Sequence, residues 1–288
     1  MSEKGMTRRG VCSTLLTIGG LAVTGIASGE TKAPAAPTRP TADDVFLDQR
    51  VADAVQRGAT MEEIAKLREP AVRTPEEALR LLKVGNSRFF GGQARRPELS
   101  AAERRAQILG QSPFAVILGC SDSRVPTEIV FDQSLGSLFI TRVAGNIVDT
   151  STVGSIEYAV EHLNTRLVVV LGHEGCGAVK AALLPAADRA KETPSIQALL
   201  DQIVPSIAKL PAIRDGKAKM REAVISNVRL QVSNLNRQPA IKAAVAARRI
   251  AVVGAFYEIT SGAVDFMETE AELRLSSGPS GNWRAHLG

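Results

Sequence analysis

The sequence predicts an α/β fold: a mostly parallel central β-sheet flanked by helices, preceded by an N-terminal helical arm. Two observations carry that prediction. From residue 113 onward the stretches "FAVILG", "LFITRV", "RLVVVLG" and "RRIAVVGAFY" are mainly apolar, as strands covered on both faces must be. Between them lie "GSIEYAVEHLN", "GAVKAALLP", "SIQALLDQIVPSIAKL" and "KMREAVISNVRLQVSNL", whose apolar residues recur at helical spacing. Strands alternating with amphipathic helices give a sheet with helices on both sides.

Residues 1–29 stand apart from the fold. They have a basic start with the pair Arg8-Arg9, an apolar stretch from about Val11 to Ile26, and small residues at Ala27 and Gly29. That is the layout of a cleaved secretory signal, and the twin arginine points to the Tat route and to a periplasmic or otherwise exported protein. The rival is an uncleaved anchor, but the apolar stretch is short and glycine-rich beside the ~20 residues of a spanning helix. Residues 30–42, "ETKAPAAPTRPTA", read as a disordered Pro/Ala linker. Residues 43–288 then form a single domain. Its arm contains "ADDVFLDQRVADAVQRG", "TMEEIAKLRE" and "TPEEALRLLKVGNSRFFGG". In the last of these Thr74 caps, Pro75 occupies the first turn and Glu77 closes a capping box. These helices lack an obvious face toward their own chain, which fits packing across a partner. "AVDFMETEAELRLS" after the fourth strand predicts a further edge strand or hairpin.

Bulk composition narrows the function. A 44% hydrophobic content supports a core, and a mean hydropathy of +0.02 argues against an integral membrane protein. The net charge of +5 comes from scattered basic residues, and aromatics are only 4%, so nucleic-acid binding is unsupported. The chain has three cysteines, and Cys12 lies in the signal, which leaves Cys120 and Cys176.

Those two carry the chemistry. "AVILGCSDSRVP" places Cys120 at the carboxyl end of a buried strand, the edge where α/β sheets collect ligands. Cys176 lies in "RLVVVLGHEGCGAVKAAL", three residues after His173 and again directly after a buried strand. In an exported protein the simplest use of two cysteines is a disulfide, but that leaves His173 without a role. Two thiolates and one imidazole form a zinc set, with Zn–S near ~2.3 Å and Zn–N near ~2.0 Å, and three protein ligands leave the fourth position open for catalysis. Other motifs fail on spacing. "HEGCG" has Gly177 where a zincin helix needs its second histidine, "GHEGCG" has the wrong glycine order for a dinucleotide loop, and "GCSDS" lacks the second glycine of a nucleophile elbow. His162, in a helix, and His286, in the tail, read as surface residues.

"GCSDSRVPTEIVFDQSLGSLFITRVAGNIV" together with "SIEYAVEHLNTRLVVVLGHEGCGAVKAAL" resembles the β-class carbonic anhydrases, nearly continuously from Pro113 to Leu184. The motifs C-x-D-x-R and H-x-x-C stand in the family's order and separation. The resemblance implies Zn2+ held by Cys120, His173 and Cys176, with Asp122 and Arg124 as the catalytic dyad beside it. It implies Gln133 as a hydrogen-bond partner of bicarbonate or carbon dioxide and Gly177 as a backbone donor near the substrate oxygen. The activity implied is reversible hydration of carbon dioxide to bicarbonate and a proton, in a homodimer or homotetramer, with no nucleic acid and no stable membrane insertion after signal cleavage. Alternatives are a carbonyl sulfide or carbon disulfide hydrolase on the same site, or a non-catalytic zinc-binding protein.

Overall fold

The computed structural model describes residues 50, 53–67, 72–95, 100–208 and 210–267. The signal, the linker, Cys12, the start of the arm, residues 268–276 of the expected edge hairpin and His286 lie outside them. Helices α1 (Met61–Leu67), α2 (Pro75–Phe90) and α3 (Ala101–Ala106) lead to strand β1 (Ala115–Gly119). The short α4 (Thr127–Val130) connects to β2 (Leu138–Arg142), and α5 (Thr150–His162) to β3 (Leu167–His173). Then come α6 (Gly177–Ala182), α7 (Ala186–Arg189), α8 (Pro194–Asp201) and α9 (Val204–Ile207), followed by the long α10 (Gly216–Arg237) and α11 (Pro239–Ala246). Strands β4 (Ala251–Tyr257) and β5 (Val264–Phe266) close the described sheet.

The sheet order is β2-β1-β3-β4-β5, with the first four strands parallel and β5 antiparallel at the edge. β1 connects outward to β2, while its other neighbour is β3, so the chain reverses direction across the sheet between β1 and β3. In open parallel sheets the crevice at that reversal is where ligands bind. Every residue of β1 and of β3 is buried, which explains their unbroken apolar sequence. Val116, Leu118, Val168 and Val170 face α5, α6, α10 and α11, while Ala115, Ile117, Val169 and Leu171 face α2 and α4.

The expected cap of α2 is present, with reciprocal Thr74 and Glu77 bonds and Pro75 in the first turn. Two expectations need correction. α2 does have a face toward its own chain: Ala78, Leu79 and Leu82 are fully buried against the sheet, and Asn86 bonds to Val130 O and Gly262 O. The close approach depends on Gly85, because a Cβ there would collide with Phe131 O. The continuous helix expected over "SIQALLDQIVPSIAKL" is broken into α8 and α9. Pro205 has no N–H to donate and its ring clashes with the preceding turn, so the helix stops at Asp201 and restarts with proline in its first turn.

Candidate active site

β1 delivers Cys120 to the crevice and β3 delivers His173. The register pairs Gly119 with Leu171 on one side and with Arg142 on the other. Arg142, at the end of β2, uses that position to pin the loop after β1, with Nε donating to Cys120 O at 2.8 Å and Nη2 donating to Asp122 O. Within the loop, Asp122 Oδ1 accepts from Arg124 N and Nε, each at 2.9 Å, and Oδ2 accepts from Arg124 Nη2 at 2.8 Å. The pair is bidentate, and Arg124 holds the Asp122 carboxyl well below the usual carboxylate range.

On the other side Gly172 lets α10 come close beneath His173, since a Cβ would meet Val224 Cγ1 and Val228 Cγ2 at 2.6 Å. The turn after His173 is fastened by Glu174, whose N–H donates to Tyr257 O at 2.8 Å. Its carboxylate accepts from Thr260 N and Oγ1 at 2.9 and 2.8 Å. Gly175, at φ +66°, completes the reversal in a conformation that glycine adopts at little cost, and Cys176 becomes the N-cap of α6.

Cys120, His173 and Cys176 are all buried, and one ligand-type atom from each lies within 4.8 Å of the others. Both cysteines are free, so no disulfide joins them. His173 Nδ1 lies 3.0 Å from Glu174 O, which only accepts, so Nδ1 carries the proton and Nε2 presents a bare lone pair. That Nε2 is buried and has no hydrogen-bond partner, and Asp122 Oδ2 lies 3.9 Å from it. The Cys176 thiol donates toward Cys120 and, against the effect of burial and helped by the His173 ring and the Gly145 N–H, pushes Cys120 down. The same hydrogen bond, together with burial, pushes the Cys176 thiol well up, a rise only partly offset by the amides of Val179 and Ala178. One bare imidazole nitrogen, one thiolate and one thiol ready to lose its proton, converging in a buried crevice, fit a zinc ion.

A family model described as carbonic anhydrase matches residues 115–264 of the chain. The chain belongs to the β-class carbonic anhydrases. It is 41% identical over 189 residues to carbonic anhydrase 2 of Mycobacterium tuberculosis, covering 65% of this chain and 90% of that protein. It is also 41% identical over 194 residues to a carbonic anhydrase of Mycolicibacterium smegmatis, covering 66% and 92%. Among solved structures it is similar to a tetrameric β-carbonic anhydrase of Sordaria macrospora, at 27% identity and a TM-score of 0.54, covering 66% of this chain and 96% of that one. As a β-carbonic anhydrase the protein uses zinc and interconverts carbon dioxide and bicarbonate. The similarity favours that activity over carbonyl sulfide or carbon disulfide hydrolysis and over passive zinc binding, because these relatives are carbonic anhydrases by name.

The remaining predicted residues divide. Gly177, the first residue of α6, directly follows Cys176 with open space where a Cβ would stand. Gln133 Nε2 donates to Phe131 O at 2.9 Å, beside Gly85 of α2. His162 is exposed and lies against Tyr158 in a tilted ring contact, centroids 5.0 Å apart, as a surface histidine does. Sequence reasoning missed Arg142, Glu174 and Gly145. An arginine ending an apolar strand was a legible sign for the first, whereas Glu174 depends on a distant partner, Thr260, and Gly145 acts through its backbone, and neither carries a sequence signal.

Proposed function

We propose that Cys120, His173 and Cys176 are the zinc ligands of this carbonic anhydrase and that Asp122 and Arg124 govern the fourth position. The observation that carries this is the His173 Nε2 lone pair, buried without a partner among the two cysteines. A buried polar atom left unsatisfied costs ~1–3 kcal/mol, so its persistence calls for a ligand. Zinc supplies the Lewis acidity that makes water nucleophilic near neutral pH. Asp122 Oδ2, on the His173 side of its carboxylate, accepts a hydrogen bond from the attacking water and turns a water lone pair toward carbon dioxide. Arg124 grips both carboxylate oxygens and thereby keeps Asp122 from closing on the ligand position itself. Gly177, the first residue of α6, where helical amides lack intrahelical partners, is the candidate backbone donor to the oxygen on which negative charge develops. Gln133 is the remaining candidate for a bicarbonate contact, once its amide leaves Phe131 O.

We also infer export, supported by the twin arginine and apolar stretch of residues 1–29, and a homo-oligomer. The oligomer is supported by the tetrameric relative and by the exposure of Ile108 at 84%, Leu135 at 56% and Ile129 at 53%. The assignment is tested by measuring zinc content and stopped-flow hydration together. The wild-type protein should hold about one zinc per chain and hydrate carbon dioxide. Cys176→Ala should lose most of both, because two protein ligands rarely retain zinc. Full zinc in Cys176→Ala would sink the assignment.

A further inference from the structure

We infer that Asn227 and Gln231 of α10 are positioning residues for the Cys120 sulfur, acting through the loop that follows β2; this rests on Cys120 being a zinc ligand. Both side chains are fully buried on a helix face otherwise made of Val224, Val228 and Leu235. They form a ladder one turn apart. Gln231 Nε2 donates to Asn227 Oδ1 at 3.0 Å, so the Asn227 amide nitrogen must face the other way, where it donates to Gly145 O at 2.9 Å. Gln231 Oε1 accepts from Val148 N at 3.0 Å, and its Nε2 also donates to Gln202 O at 3.2 Å. The two amides therefore grip the loop at both ends, at Gly145 and Val148.

What they grip is a tight turn with one backbone bond of its own, Asn146 N–H to Val143 O at 2.9 Å. Gly145 and Asn146 are consecutive left-handed residues, at φ 72° and 45°, and Asn146 is fully buried with neither side-chain polar atom bonded. Gly145 and Asn146 are residue types that accept this conformation, but the unbonded amide of the buried Asn146 adds nothing to hold the turn in place. The loop is also wedged from the side, since a Cβ on Gly145 would meet Ile203 Cδ1 at 2.6 Å and Ala178 Cβ at 3.2 Å. The product of this constraint is one contact: Gly145 N–H donates to Cys120 Sγ at 3.4 Å. A hydrogen bond to a metal-ligating sulfur orients it and tunes its charge, and losing the direct partner of a ligand typically costs about 10–100-fold in metal affinity; Asn227 holds that partner in place, and the same range sets the scale of its loss. If the amides served packing alone, leucines would fill the same space without buried polar groups to satisfy.

The test compares zinc affinity by chelator competition, and the thiolate-to-cobalt charge-transfer absorption of the cobalt-substituted protein, in three proteins. Against wild type, Asn227→Leu should weaken zinc binding by about 10–100-fold and move the charge-transfer band. Leu235→Ala, buried on the same helix but away from the loop, should lower the melting temperature while leaving zinc affinity within twofold and the band in place. Should Asn227→Leu not fold, Asn227→Ser, which keeps a donor of shorter reach, should still weaken zinc binding several-fold. Zinc affinity within twofold of wild type in a folded Asn227 variant would overturn the inference, as would equal loss in Leu235→Ala. A wild-type protein that binds no zinc would instead overturn the reading of the site, and this inference with it.

Discussion

At the scale of residues the site is a question of which protons are present. The hydrogen bond between the two sulfurs pushes Cys120 down and Cys176 up, so near neutral pH the pair holds one proton between them. Zinc takes both sulfurs as thiolates, so loading zinc near neutral pH should release about one proton per chain. Calorimetry in buffers of different ionisation enthalpy reads that number, and two protons released would mean both thiols start protonated. Zinc affinity should accordingly fall by about tenfold per pH unit as pH drops below neutrality, because each unit makes the Cys176 proton ten times harder to remove. The hydration reaction runs the same logic on water. Two thiolates cancel the charge of the metal, whereas neutral ligands leave it whole and bring water to a pKa of about 7. The attacking water here should lose its proton above neutrality, so the hydration rate should rise from pH 6 to pH 9. Asp122 does not supply that rise, since Arg124 keeps it ionised throughout the window. Asp122→Asn should lower kcat/KM by about 10²-fold or more and move the profile's midpoint to lower pH, because a negative charge beside the water has gone. A flat profile, or an asparagine variant with full activity, would contradict this account.

At the scale of elements the site depends on how closely helices approach strands. Gly172 in β3 is the sharpest case. The alanine methyl in Gly172→Ala would enter Val224 and Val228 of α10 at 2.6 Å from each. Overpacking of this kind costs about 1–3 kcal/mol. Thermal denaturation should show a lower melting temperature, and zinc binding should weaken as well because His173 is the next residue. An unchanged melting temperature would mean that α10 has more slack than its packing implies. The turn after β3 is held differently, by charge and hydrogen bonds: Glu174 anchors on Thr260, so the histidine loop is tied to the connection between β4 and β5. α2 is locked by a further ion pair, Arg88 Nε to the buried Asp132 Oδ2 at 2.6 Å, which fixes the loop next to Gln133.

At the scale of the whole molecule, the proposed export is the property open to the most direct test. No helix among the described residues is long and apolar enough to cross a membrane. Export through the twin-arginine route makes a direct prediction: replacing Arg8-Arg9 by Lys-Lys should leave the precursor in the cytoplasm, read by fractionation. Normal arrival of that variant outside the cytoplasm would point to another route or to an anchor.

By itself the sequence determined the α/β class, the four parallel strands, the cap of α2 and the identity of the candidate metal ligands. These are local properties: apolar runs, capping residues, and ligand-type side chains within a few residues of strand ends. Cys120 and His173 were legible because each directly follows or ends an apolar strand, and parallel strands deliver their carboxyl ends to one edge. Only the tertiary structure decided that β1 and β3 are neighbours although β2 lies between them in the chain, which brings the two motifs into one crevice. It also decided that α2 covers its own sheet, that Gln133 bonds to its own loop, and that Arg142, Asn227 and Gln231 stand behind the cysteine loop. Arg142, Asn227 and Gln231 reach backbone carbonyls and amides contributed by distant segments. Backbone groups are the same at every residue, so no side-chain pattern announces which of them will meet, and only the packing of helices on the sheet selects the pairs.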